Sequence, residues 1–272
     1  MSRIALLQMT TGIDTAANAQ ALADAVERAA GEGADMLFTP EMSGLLDRDR
    51  KRAASSIRPE DETEALASVR DAAAKAGVWV ALGSLAVAIE EGRWANRSFV
   101  IDTNGGIAAR YDKMHMFDVD LAGGESWRES SAYEAGSQVV TVDDTPVGKL
   151  GLTVCYDIRF PGLFEALGNA RCDCIAIPAA FTVPTGQAHW HVLQRARAIE
   201  ASAFVVAAAQ VGAHEDGRET FGHSLVVDPW GEVLLDMGGV EGGLGFCDID
   251  LDRIAAVRAQ VPSLANRREI AK

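Results

Sequence analysis

No stretch of the 272-residue chain approaches the ~20 uninterrupted apolar residues that a membrane-crossing helix needs. The longest apolar runs, such as residues 203–209, have the length of a strand. The N-terminus passes at once into Ile4-Ala5-Leu6-Leu7, with no basic segment ahead of a long apolar one, so no secretory signal is expected. These absences point to a soluble, cytoplasmic protein with no membrane partner. Positive charge is also short. Twenty-five Lys and Arg against 39 Asp and Glu leave a formal net charge of −14, which argues against nucleic acid as a partner because that needs a concentrated basic footprint. The local basic cluster of Arg48, Arg50, Lys51 and Arg52 is interleaved with Asp47 and Asp49 and reads as a solvated face.

Cysteine is scarce too. Four scattered thiols, Cys155, Cys172, Cys174 and Cys247, do not form a disulfide framework in a chain this long. A zinc site would need more ligands at usable spacing, and His189 and His191, two apart at the start of a helical pattern, do not share a face. No metal and no cofactor are expected, and Cys172, Cys174 and Cys247 read as small core hydrophobes.

What is present is a long alternation of elements. Residues 4–9 form a short apolar run, and residues 15–30 have helical spacing that stops near Gly31 and Gly33. Met36-Leu37-Phe38 is a buried-type strand ended by Pro40. Residues 62–76 predict a second helix closed by Gly77, and 78–88 a strand. Segments 97–102 and 107–111 flank Asn104-Gly105-Gly106, a hairpin signal. Residues 112–137 have no clear period, which in a compact domain marks a functional or disordered stretch. Strands follow at 147–154, 174–178, 204–209 and 244–248, and helices at 160–169, 190–202 and 251–260. A hairpin is expected around Pro229-Trp230-Gly231. Without repeat, linker or low-complexity tract, the whole span 1–272 reads as one α/β layered domain.

Three polar residues stand where apolar strands end: Glu41, Lys113 and Cys155. In layered α/β proteins the carboxyl ends of strands are where ligands bind. A thiol near a cation can be deprotonated near neutral pH, a carboxylate can shuttle its proton, and an ammonium can stabilise an oxyanion. Such parts hydrolyse amides through a thioester. Each residue alone also fits a bland role, Cys155 as a buried thiol and Glu41 and Lys113 as surface or salt-bridge groups.

At these residues the chain resembles the carbon–nitrogen hydrolase (nitrilase) superfamily. Thr39-Pro40-Glu41-Met42 is similar to the segment holding that family's general base, and residues 111–117 to its lysine segment. Residues 151–161, Gly151-Leu152-Thr153-Val154-Cys155-Tyr156-Asp157-Ile158-Arg159-Phe160-Pro161, are similar to its nucleophile segment. The resemblance implies a four-layer αββα sandwich, with Glu41 as base, Lys113 as oxyanion stabiliser and proton donor, Cys155 as nucleophile and the Tyr156 N–H completing the oxyanion hole. It also implies a second pocket glutamate, placed at Glu129 rather than at the rival Glu125. Residues 188–200 and 222–231 resemble the amidases of deaminated glutathione and the ω-amidases of 2-oxo acid amides, with His223 and Trp230 in packing and hydrogen-bonding roles. Carbamoylases, aliphatic amidases and nitrilases of the same superfamily are the alternatives, with a non-catalytic binding protein that keeps the fold as the reading from another class, against which the intact Glu41, Lys113, Glu129 and Cys155 set argues. The implied substrate is a small carboxylate-bearing amide, with Arg159 binding the carboxylate or pairing structurally with Asp157 or another acid. A homodimer or higher homo-oligomer is expected by the same analogy. Gly162 departs from the glutamate common after Arg-Phe-Pro.

Overall fold

The computed structural model describes residues 1–121, 124 and 126–268. The chain opens with β1 (Ser2–Gln8), α1 (Thr15–Gly31), β2 (Met36–Phe38), the short α2 (Arg50–Ala54), α3 (Glu64–Ala76) and β3 (Trp79–Ala88). Next come β4 (Trp94–Ile101) and β5 (Ile107–Asp112), then β6 (Asp118–Asp120) paired with β7 (Ser126–Arg128). The second half runs β8 (Thr141–Thr145), β9 (Gly148–Leu152), α4 (Pro161–Asn169), β10 (Cys174–Ala176), α5 (Val183–Ala201) and β11 (Phe204–Ala207). It ends with β12 (Val211–Ala213), β13 (Glu219–Phe221), β14 (Leu225–Val227), β15 (Val233–Asp236), β16 (Gly243–Ile249) and α6 (Asp252–Gln260).

Local chemistry sets the helix ends. The Asp14 side chain accepts the free N–H groups of Ala16 and Ala17 at the start of α1, and Gly77 closes α3 in the left-handed region at φ 67°. Among the elements that depart from the spacing are α5 and β8. Helix α5 starts at Val183, not Trp190, because Pro184 suits a first helical turn and Gly186 must be small: a Cβ there would lie 2.2 Å from the Phe221 ring. Strand β8 was not visible, since Asp143-Asp144 reads as a turn, yet it forms an exposed edge against β9.

Two six-stranded sheets result, in the orders β16-β1-β2-β3-β4-β5 and β15-β14-β11-β10-β9-β8. Alternation along the first sheet decides the layering. Ile4, Leu6, Met36, Phe38, Ala81 and Val100 share a core with Leu150, Leu152, Ala176 and Val206, which lie on one face of the second sheet. Their neighbours Ala5, Leu37, Val80, Leu82, Phe99 and Ile101 face the opposite way, onto Leu22 and Val26 of α1 and Leu66 and Val69 of α3. Leu163, Phe164 and Ala198 of α4 and α5 join the core of the second sheet. This is the αββα sandwich. β1, β2 and β3 run parallel, as do β9, β10 and β11, so their carboxyl ends collect at shared edges.

Candidate active site

Glu41 sits in the turn that leaves β2, held by the neighbouring strand. The Thr39 hydroxyl accepts the Gly83 N–H at 2.9 Å, and any Cβ on Gly83 would fall 2.0 Å from the Thr39 carbonyl oxygen. The carboxylate is buried and hydrogen-bonded through both oxygens. Oε1 accepts from Lys113 Nζ at 2.9 Å and from Asn96 Nδ2 at 3.0 Å, while Oε2 accepts the Ala180 N–H at 2.9 Å.

Lys113 follows β5, and its backbone N–H donates to the Asn96 carbonyl at 2.9 Å. Its ammonium, only 2% exposed, also reaches Glu129 Oε2 at 2.8 Å and Oε1 at 3.1 Å. Glu129 comes from a single helical turn after β7, and its Oε2 further accepts the Phe117 N–H at 2.7 Å. The rival Glu125 lies outside the described residues. Burial alone would neutralise Lys113, but the Glu129 and Glu41 carboxylates hold its pKa well above the ordinary lysine value.

Cys155 opens the short helical turn Cys155–Arg159 directly after β9. It has φ 48°, a left-handed conformation uncommon for a side chain of this kind, and its N–H donates to the Pro178 carbonyl at 2.8 Å. Its buried thiol lines the same open cleft as Glu41, Lys113 and Glu129. Burial and then the Glu41 carboxylate push the thiol well above its ordinary pKa, against the smaller opposing pull of Lys113. Burial and the Glu41 charge thus outweigh the Lys113 ammonium in favour of the thiol, which gives a nearby proton acceptor a role.

The nucleophile turn is tied to the lysine segment by Asp157, which was expected to pair with Arg159 if it paired at all. Asp157 is wholly buried, and its Oδ2 accepts the Tyr111 hydroxyl at 2.7 Å and the Val154 N–H at 2.9 Å. Oδ1 accepts the His115 N–H at 3.0 Å and meets His115 Nδ1 at 2.7 Å. Asp157 is therefore not the partner of Arg159. The Arg159 guanidinium lies 5.3 Å from the Phe181 ring centroid and 5.8 Å from that of Tyr156, with Nη1 3.2 Å from His189 Nδ1. Among the described residues it has no carboxylate partner, and both it and Tyr156 line the cleft.

The remaining candidates lie elsewhere. His191 Nε2 and His223 Nδ1 each meet the Asp236 carboxylate at 2.9 Å, which clamps α5 to the β14–β15 hairpin. That is the hydrogen-bonding role expected of His223. Trp230 is half exposed at the hairpin tip rather than packed in the core. Cys172 and Cys174 are buried, and burial pushes Cys172 up to about 12, whereas Cys247 is only half-buried. A Cβ on Gly162 would meet nothing within 4 Å, so no local packing depends on a side chain there.

Two stacked sheets between helix layers, with an acid, an amine and a thiol gathered at their strand ends, define an αββα hydrolase. The chain belongs to the carbon-nitrogen hydrolase family, which matches residues 3–259. It is 38% identical over 270 residues to the deaminated glutathione amidase of Yersinia enterocolitica, covering 98% of this chain and 93% of that protein. The crystal structure of the Caenorhabditis elegans NitFhit protein superposes with a TM-score of 0.90 at 36% identity, over 98% of this chain and 65% of that one. A mutant amidase from Nesterenkonia sp. AN1, in which acrylamide has added to the active-site cysteine, gives a TM-score of 0.80 at 27% identity, over 96% and 98%.

Proposed function

We propose that the chain is an amidase that cleaves a small carboxylate-bearing amide of the deaminated-glutathione kind through a thioester on Cys155. The carrying observation is the Lys113 ammonium bonded to both Glu41 and Glu129 beside the buried thiol in one cleft. Glu41 Oε1 already has two donors and Oε2 only one, so Oε2 is the oxygen with room for a proton. It takes the thiol proton as Sγ attacks the amide carbon. The oxyanion forms against the Lys113 ammonium and the Tyr156 N–H. Glu41 then gives its proton to the leaving nitrogen, the amine or ammonia departs, and a thioester remains. In the second half Glu41 deprotonates a water that attacks the thioester carbon, and the thiol is restored. Glu129 holds Lys113 and positions that water.

The substrate side follows from charge. In a chain of net charge −14, the cleft is lined by six cationic side chains and four acidic ones. An anionic ligand is attracted there and away from the rest of the surface. Arg159, free of a carboxylate of its own, is the residue for a substrate carboxylate. The amidase relative from Yersinia supports the deaminated-glutathione reading over the ω-amidase one. We take residues 1–272 to form one such domain, acting in the cytoplasm as a homodimer or higher homo-oligomer, without cofactor, metal or nucleic acid.

The test is mass spectrometry of protein mixed with deaminated glutathione, 2-oxoglutaramate, an N-carbamoyl amino acid and a simple nitrile. An acyl adduct on Cys155 with the first, absent in Cys155→Ala, is expected. Turnover surviving in Cys155→Ala refutes the mechanism, and preference for another compound refutes the substrate.

A further inference from the structure

Strand β4 presents one side chain to both glutamates at once. Asn96 is 1% exposed, and its single Nδ2 group donates to Glu41 Oε1 at 3.0 Å and to Glu129 Oε1 at 3.1 Å. The orientation of this amide is dictated by chemistry. Ionised carboxylates only accept, so turning Oδ1 toward them would set three acceptors face to face. The consequence is visible on the other side, where Oδ1 is buried with no partner. An unsatisfied buried acceptor is costly, and a residue serving the fold alone could avoid it with an apolar side chain.

We infer that Asn96 is a positioning residue for the reaction, an inference that rests on the amidase reading of the site. Its two N–H groups bridge two like charges that would otherwise repel, and it shares that task with Lys113. By occupying the second position on Glu41 Oε1 it leaves Oε2 as the oxygen that faces proton transfer. The charged and titratable groups around it are Glu41, Glu129, Lys113 and Cys155, with the half-buried Tyr133 lining the same cleft. Removing a donor to an ionised carboxylate makes that carboxylate easier to protonate, so the effect reads out in pH.

The experiment measures acylation of Cys155 in single turnovers across pH for wild type, Asn96→Asp and Asn96→Ala. Both variants are expected to acylate about 100-fold or more slowly, with KM changed by less than about threefold and the acid limb moved to higher pH. Acylation within about threefold of wild type, with the limb unmoved, overturns the assignment. Should neither variant fold, the wild type labelled with ¹⁵N-asparagine decides. The Asn96 side-chain protons should shift along the acid limb, and protons that stay still overturn the assignment as well. A wild type that forms no adduct defeats the amidase reading itself, and Asn96 with it.

Discussion

The Tyr111 hydroxyl donates to the buried Asp157 carboxylate at 2.7 Å, which couples the strand delivering Lys113 to the turn delivering Cys155. Tyr111→Phe removes that donor and leaves Asp157 its remaining three contacts. We expect a loss of about 1–3 kcal/mol in urea unfolding. Asp157→Ala strands the Tyr111 hydroxyl and the Val154 and His115 N–H groups together, and should cost more than Tyr111→Phe. Equal stabilities would show that Asp157 is not the tie.

Glu41→Gln should separate two kinds of reactivity. Amide turnover needs a proton acceptor and should fall about 10²–10⁴-fold. Yet burial and the Glu41 charge are what hold the Cys155 thiol up, so removing the charge raises the thiolate fraction. Alkylation of Cys155 by neutral iodoacetamide at pH 7 should become faster in the variant. Slower alkylation would refute the electrostatic account.

Arg159 tests the anionic substrate. With Arg159→Ala, KM for the anionic amide should rise about 10-fold or more with kcat little changed, the effect of losing one charge-assisted contact. An uncharged analogue should show no such rise. Unchanged KM for the anionic amide removes Arg159 from substrate binding.

Two glycines should behave oppositely. Gly83→Ala drives a methyl group into the Thr39 and Pro40 carbonyl oxygens at 2.0 and 2.5 Å, both backbone atoms beneath Glu41. Overpacking of this kind costs about 1–3 kcal/mol or more, and displacement of Glu41 should lower kcat. Gly162→Glu enters open space and should leave stability within about 0.5 kcal/mol. Urea titrations of both variants check the contrast.

Asp236 should contribute to acid sensitivity. Burial opposes its ionisation, but hydrogen bonds from His191, the Gly238 N–H and His223 outweigh it and hold the carboxyl below its ordinary 3.8. A carboxyl depressed on folding stabilises the protein above its unfolded pKa, and that contribution disappears as pH falls through the folded value. Asp236→Asn should therefore be less stable than wild type at pH 6, with the difference shrinking below pH 4. A constant difference in urea midpoints across that range would exclude the linkage.

Periodicity reached the elements that have one clear face. The runs behind β1 and β2 and the spacing of α1 and α3 are legible because burying one stripe or one alternate set leaves a pattern. Edge strand β8 and the first turn of α5 carry no such pattern, since neighbours and not their own spacing hold them. Glu41, Lys113 and Cys155 were visible as polar residues at strand ends, and Glu129 through resemblance. Asn96 was not, nor was the tie that Asp157 makes to Tyr111 and His115. Their importance lies in partners far off in sequence, Glu41 being 55 positions from Asn96 and Tyr111 46 from Asp157.

Sequence by itself determined the kinds of chemical group available, the order in which strands would present them, and an α/β layered domain, with the αββα arrangement implied by the family resemblance. Tertiary structure decided their states. How strongly Cys155 favours the thiol depends on its burial and on the opposed charges of Glu41 and Lys113, and Coulomb energies depend on distances in space that spacing along a chain does not contain.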